Sequence, residues 1–367
     1  MRRAIFGALA VLLAAEIAAA GELPVRGLHV SAPYPEDMAL AERFIKETLP
    51  REGVNTLVVS FGYRVQYRSR PEVTDENALS LDEVRQLASW CREAGIRLIP
   101  EINLLGHQSW RERTHGLLRA HPEFDETPGK YPNNEGIYCR SYCPRHPEVH
   151  EVVFDLIDEL LHATEADAFH AGMDEVFILG DPDCPRCKGE DPAVLFAEEV
   201  RRIHAHLAGR GVEMWMWSDR FLDGAATGIG KWQASLNGTH PAIREVPRDI
   251  VMCDWHYRRA EPTAAYFAAH GFPVVSSPWR DVSVALGQLE LIRLARQHAS
   301  PELAANFRGV LQTTWVPFRS FVEAYEGKTS AGINALQAAE CFRELFSALR
   351  SAGLVPPAAG PPATAPQ

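Results

Sequence analysis

Eight short apolar runs recur along the chain at residues 25–30, 55–61, 96–101, 168–172, 212–217, 250–255, 273–277 and 309–315. Several are rich in β-branched residues, and nearly continuous apolar runs of this length suit strands buried on both faces. Between them, amphipathic stretches with helical spacing fill residues 35–49, 147–163, 192–209, 261–270 and 282–298. Another helix is expected from Ser80, where Ser80 and Glu83 have the spacing of a capping box, to about Ala94, with Gly95 at its end. Eight strands alternating with helices predict an α/β fold, a parallel (β/α)8 TIM barrel. The alternative, an open doubly wound sheet, lacks its expected Gly-x-Gly-x-x-Gly turn after the first strand. No repeat or linker divides the chain, so residues 25–354 are read as one barrel domain. Residues 104–146 carry Gly, Pro and Asn without clear periodicity, and so long a loop in a compact domain is usually functional.

Two adjacent acids, Asp174 and Glu175, follow the fourth run directly. Neighbouring side chains of a strand point to opposite faces, so the two share a pocket only if the extended backbone ends or bulges there, which Gly172 makes easier. Asp-Glu pairs are common on solvated helix faces; what distinguishes this one is its place at a strand end, where barrel enzymes keep their chemistry. Brought together, like charges push their pKa values apart, leaving one acid able to hold a proton and the other able to stay ionised. That pairing suits cleavage of a glycosidic bond. Trp217, Trp255, Trp279 and Trp315 end four of the runs or follow them closely. Any one of them is explained by core packing, but four at equivalent strand ends describe an indole-walled pocket that stacks on a pyranose.

The stretch His170-Ala171-Gly172-Met173-Asp174-Glu175-Val176 resembles the signature of glycoside hydrolase family 20, the β-N-acetylhexosaminidases. Ile99-Pro100-Glu101-Ile102-Asn103-Leu104-Leu105-Gly106-His107 resembles a second motif of that family, with Asn103 where an Asp is usual. The resemblance implies removal of terminal β-linked N-acetylhexosamine from a glycan by a retaining, substrate-assisted mechanism without a cofactor. In it Glu175 is the general acid and then the base, while Asp174 orients the substrate's own 2-acetamido group, which attacks the anomeric carbon. It further implies that His107 contacts a sugar hydroxyl or supports the acid, that Tyr257 bonds the acetamide carbonyl, and that the tryptophans line the pocket; His170, on its strand, is expected to be a buried support. Two features depart from the family pattern. The first strand is followed by Ser31-Ala32-Pro33 and no arginine, and Trp315-Val316-Pro317 lacks the acid of the usual Trp-x-Glu. Both bear on which terminal sugar is selected. A non-catalytic carbohydrate-binding barrel, or a relative with altered sugar specificity, is the alternative.

A chain of 367 residues, 46% hydrophobic and 23% charged, is large enough for one barrel-sized core. Its net charge of −11 and lack of basic runs exclude a nucleic-acid partner. Residues 1–20, with two arginines, an apolar stretch and three alanines, read as a signal peptide too short to span a bilayer, so a secreted or periplasmic protein without a membrane span is expected. Residues 355–367, rich in Pro and Ala, are expected to be disordered. Cys184-Pro185-Arg186-Cys187 has the form of a zinc knuckle that Cys139 and Cys143 complete, but loop disulfides serve an exported chain equally. Either role is structural, and no catalytic metal is expected. Cys91, Cys253 and Cys341 are read as buried thiols.

Overall fold

The computed structural model of the chain describes residues 22–356. The expected signal peptide and residues 357–367 of the expected tail lie outside that range. Eight strands close into one barrel: β1 (Val25–Ser31), β2 (Thr56–Ser60), β3 (Arg97–Leu104), β4 (Ala168–Gly172), β5 (Glu213–Trp217), β6 (Val251–Asp254), β7 (Val274–Ser276) and β8 (Phe307–Thr313). Their order around the barrel is their order in sequence and every pairing is parallel, which is the (β/α)8 topology that the alternation predicts. The last strand begins and ends two residues before the expected run, because the helix Pro301–Asn306 leads straight into it. Trp315 therefore lies past the strand, at φ 47°.

Strand residues alternate between two apolar layers. Val58, Ile99, Ala168, Trp215, Val251 and Leu311 share one cluster inside the barrel, while their neighbours Leu57, Leu98, Phe169, Met214 and Val310 join the larger cluster under the helices. The seam between β8 and β1 is tight. Val25 pairs with Gly309, which sits at φ 142°, and a Cβ there would stand 2.0 Å from the Val25 carbonyl oxygen. Only glycine fits.

Local signals account for several helix boundaries. Ser80 and Glu83 form the expected capping box, with Glu83 N–H donating to Ser80 Oγ at 3.2 Å and Ser80 N–H to Glu83 Oε2 at 2.7 Å, and the helix runs Leu81–Glu93. The helical segment from Pro35 continues to Glu52 through a π turn at Phe44–Thr48. Pro50 has no N–H for the ladder, and the wider turn ahead of it absorbs that loss. A final helix, Ile333–Ser351, which the sequence pattern does not assign, packs Phe342 against Phe321 and Tyr325 of the preceding helix Phe318–Tyr325. Among the described residues, no helix is long and apolar enough to cross a membrane.

The long loop after β3 is not featureless. It holds a small hairpin, Ser109–Trp110 with Arg113–Thr114, and a short helix, Gly116–Ala120. Buried Arg140 ties it together by bonding Asn134 Oδ1 at 2.5 Å, the Asp125 carboxylate and the Tyr131 carbonyl. Gln108 anchors its start, donating to the Gly106 carbonyl at 2.7 Å and accepting from the Tyr63 hydroxyl at 2.6 Å. So fixed, the loop returns to the barrel rim with Tyr138.

Candidate active site

A polar layer interrupts the apolar barrel interior near the C-terminal ends of the strands. Glu101 of β3 lies 2.5 Å from His29 Nε2 of β1 and 3.3 Å from His170 Nδ1 of β4, and accepts from Trp217 Nε1 of β5 at 3.1 Å. All four side chains are fully buried. Burial pushes the Glu101 carboxyl up, but the two imidazoles outweigh it and hold the acid below its ordinary range. This layer forms a rigid base under the rim.

Above it, β4 ends in a bend. Gly172, Met173 and Glu175 all have positive φ, at 67°, 69° and 49°. A Cβ on Gly172 would stand 2.4 Å from Asn103 Oδ1. Left-handed conformations at non-glycine residues store strain, and Met173 and Glu175 here, with Leu105 and His107 after β3, cluster around one point. The bend brings both acids to the same side. His107 Nε2 is 3.3 Å from Asp174 Oδ2 and 3.1 Å from Glu175 Oε2, lying between them and aligned with neither as a hydrogen-bond donor.

The two carboxylates are held differently. Asn103 Nδ2 donates to Asp174 Oδ1 at 2.6 Å, and Asn103 Oδ1 accepts from Met173 N–H at 3.0 Å, so one side chain fixes both the bend and the acid. Burial pushes Asp174 up, yet His107 and Asn103 together bring it below the usual aspartate range. Glu175 is raised: burial dominates, the charges of Asp174 and Asp219 add to it, and His107 opposes. Burial alone lowers His107, but the two acids lift it well above an ordinary histidine. The environment thus pushes the pKa values of the two acids apart, Asp174 down and Glu175 up. Asp219 acts from below, accepting the Glu175 N–H at 3.0 Å and Arg220 Nε at 2.6 Å.

The aromatic residues expected around the acids occupy unequal places. Trp315 is exposed at the rim, with its indole N–H donating to the Tyr257 hydroxyl at 2.6 Å and its ring 4.7 Å from His29. Tyr257 lies 5.0 Å from Trp255 and 5.4 Å from Trp279, so these four rings form one continuous wall. Trp255 directs its indole toward Asp219 Oδ1 at 3.4 Å, and Trp279 donates to the Thr314 carbonyl at 2.7 Å with Arg280 over its ring. Trp217 differs from the expectation. It is fully enclosed beneath Trp315 and committed to Glu101, because it is the last inward-facing residue of β5 and not a rim residue. It supports the wall without offering a free face.

Two neighbours of the acids carry no sequence signal of their own, and a third, Asn103, is marked only by its place in the second motif. Tyr138, on the long loop, sets its ring 5.9 Å from that of His107; burial and the charge of Glu175 push its phenol up. Its ring packs against exposed Trp110 and Trp232 at 5.2 and 4.9 Å. Asp219 and the role of Asn103 are likewise visible only in three dimensions, although the long aperiodic loop marks where Tyr138 is found. His170 is buried and accepts the Gly172 N–H at 3.1 Å.

The cysteines require a correction. Cys139 does not sit with the other three, so it does not complete their set. Its thiol contacts the Glu175 carbonyl at 3.5 Å, because the loop has already turned toward the rim there. Cys143, Cys184 and Cys187 gather instead around Glu126. Cys91, Cys253 and Cys341 are buried, as expected. His107, Asp174 and Glu175 also place ligand-type atoms within 4.8 Å of one another.

Residues 57–331 match the model of the glycosyl hydrolase family 20 catalytic domain, from β2 to beyond β8. The β-hexosaminidase of Vibrio furnissii is 23% identical over 274 residues, covering 68% of this chain but only 40% of that protein. The chain thus spans less than half the length of that relative. In fold it is similar to the chitobiase of Flavobacterium johnsoniae, with a TM-score of 0.62 at 17% identity over 90% of this chain and 52% of the other. It is also similar to an exo-β-N-acetylglucosaminidase from Vibrio harveyi, with a TM-score of 0.57 at 16% identity over 91% and 58%. On the family match, with the acids at the ends of a closed barrel's strands, the chain belongs to glycosyl hydrolase family 20 through its catalytic domain.

Proposed function

We propose that the chain is a β-N-acetylhexosaminidase, releasing terminal β-linked N-acetylhexosamine from a glycan by a retaining, substrate-assisted reaction. One observation carries this reading: Asp174 and Glu175 stand side by side against His107, the first held ionised and the second inclined to keep its proton. Glu175 protonates the glycosidic oxygen as the substrate's acetamide oxygen attacks the anomeric carbon and the aglycone leaves with that proton. Asp174 accepts the acetamide N–H and balances the positive charge of the cyclised intermediate. Glu175, now a carboxylate, takes a proton from water as the water opens the ring, and two inversions give net retention. Tyr257 and the wall of Trp255, Trp279 and Trp315 are assigned to the sugar ring and its acetamide; Tyr138 is assigned to steadying Glu175.

Selection of the sugar is the weaker part of the family pattern here. His29 is engaged with Glu101, no arginine follows β1, and Val316 and Pro317 follow Trp315 in place of an acid. A hydroxyl pattern read by fewer charged groups predicts that glucosaminides and galactosaminides are both turned over. The test is hydrolysis of aryl β-N-acetylglucosaminide, β-N-acetylgalactosaminide and plain β-glucoside, with a thiazoline mimic of the cyclised intermediate as inhibitor. Inhibitable turnover of the two acetamido sugars alone is expected. Turnover of the plain glucoside that ignores the thiazoline overturns acetamide participation, and sugar binding without turnover points to a carbohydrate-binding barrel.

A further inference from the structure

We propose that Glu126, Cys143, Cys184 and Cys187 form a closed, tetrahedral binding site for zinc, which clamps the loop after β3 to the loop after β4. Glu126 and Cys143 come from the first loop, Cys184 and Cys187 from the second, and all four side chains are fully buried. Their ligand atoms lie within 4.8 Å of one another.

The sulfur spacing favours a shared cation over a bond. Cys143 Sγ is 3.5 Å from Cys184 Sγ and 3.7 Å from Cys187 Sγ. Zinc–thiolate bonds of about 2.3 Å directed to tetrahedral corners put sulfurs about 3.8 Å apart. A disulfide needs about 2.05 Å. Glu126 completes the figure, with Oε2 at 3.4 Å from Cys184 Sγ and Oε1 at 2.8 Å from Cys187 Sγ, the shorter contact being a thiol hydrogen bond that opens as the proton leaves. The segment 184–187 is already turned back on itself, with Cys184 N–H donating to the Asp181 carbonyl and Glu190 N–H to that of Cys187.

The partners of Glu126 give a second, independent reason. Glu126 is a buried carboxyl with no Lys, Arg or His ion-paired to it among the described residues, and its protein donors are thiols and the Asp181 N–H at 3.2 Å. Neighbouring Arg186 spends its guanidinium on the carbonyls of Glu123 and Asp125 instead. One carboxyl and three thiols that face only one another form a ligand set; on binding they release their protons to solvent, and bonds to the metal replace their mutual polar contacts. Three sulfurs and one oxygen select a borderline-soft ion such as zinc over magnesium or calcium. Four protein ligands leave no open position, so the ion is structural. What it holds matters: between Glu126 and Cys143 lie Tyr138, whose ring stands 5.9 Å from that of His107, and Cys139, whose thiol contacts the Glu175 carbonyl at 3.5 Å.

The test is metal content, read without reference to turnover. The full chain, reduced, loaded with zinc and desalted, is analysed by mass spectrometry for bound metal, and its cobalt form by absorption. One zinc per chain is expected, with thiolate-to-cobalt charge-transfer bands in the wild type. Cys187→Ser and Glu126→Gln should lower retention at least tenfold, whereas Cys139→Ser keeps the full equivalent. Chelation should lower the melting temperature of the wild type. Three results overturn the site: no stoichiometric metal in the loaded wild type, equal retention in Cys187→Ser, or a mapped disulfide joining Cys143 to Cys184 or Cys187.

Discussion

A single imidazole between two acids sets the working range of the proposed site. Glu175 must enter the reaction protonated, and its folded pKa lies above that of an ordinary glutamate, so activity falls as pH rises through that raised value. Asp174 must be ionised, and its pKa is depressed, so activity falls as pH drops through a value below the ordinary aspartate range. A bell-shaped kcat/KM profile is expected on substrates with poor leaving groups, its alkaline limb above pH 4.3, roughly the unperturbed glutamate value. Measured in Glu175→Gln, that alkaline limb should vanish; its persistence assigns the acid to another group. The acids themselves are legible in sequence because they are adjacent and follow a strand. Their tuning is not, since Asn103 and Asp219 reach them from 71 and 44 residues away, across different strands.

The bend at the end of β4 makes an element of secondary structure part of the chemistry. Gly172→Ala puts a Cβ into Asn103 at a left-handed φ, and the side chain it meets also holds Asp174. A stability loss of about 1–3 kcal/mol is expected by chemical denaturation, together with a fall in kcat larger than any change in KM. Unchanged kcat in a stable Gly172→Ala protein contradicts the role given to the bend. At this scale the sequence is informative wherever the cause is local. Ser80 and Glu83 announce a helix start that the structure contains, and the extent of the apolar runs marks the strand ends to within three residues. It is silent where the cause is tertiary: the loop of Tyr138 owes its course to buried Arg140 and Gln108, and Trp217 faces inward because of its place on β5.

Barrel closure is a property of the whole molecule, and it rests on the seam between the first and last strands. Gly309→Ala sets a Cβ 2.0 Å from the Val25 carbonyl oxygen and must part β8 from β1. Overpacking of that kind costs roughly 1–3 kcal/mol, so the denaturation midpoint should fall at unchanged slope; an unaltered midpoint means the seam is looser than its geometry implies. Alternation of strands and helices makes closure readable in outline, because eight buried runs leave few other architectures, but it does not reveal which glycine permits it. The closed barrel in turn sets the acids on a rigid base of His29, Glu101 and His170, and their division of labour is the central claim. It is tested most directly by comparing Glu175→Gln and Asp174→Asn on aryl β-N-acetylglucosaminides of graded leaving-group acidity. The proposed mechanism predicts that Glu175→Gln loses roughly 10²–10⁴ in kcat/KM on poor leaving groups and recovers on activated ones, while Asp174→Asn is impaired on all of them. Wild-type turnover in both variants, or the same leaving-group dependence in each, contradicts it.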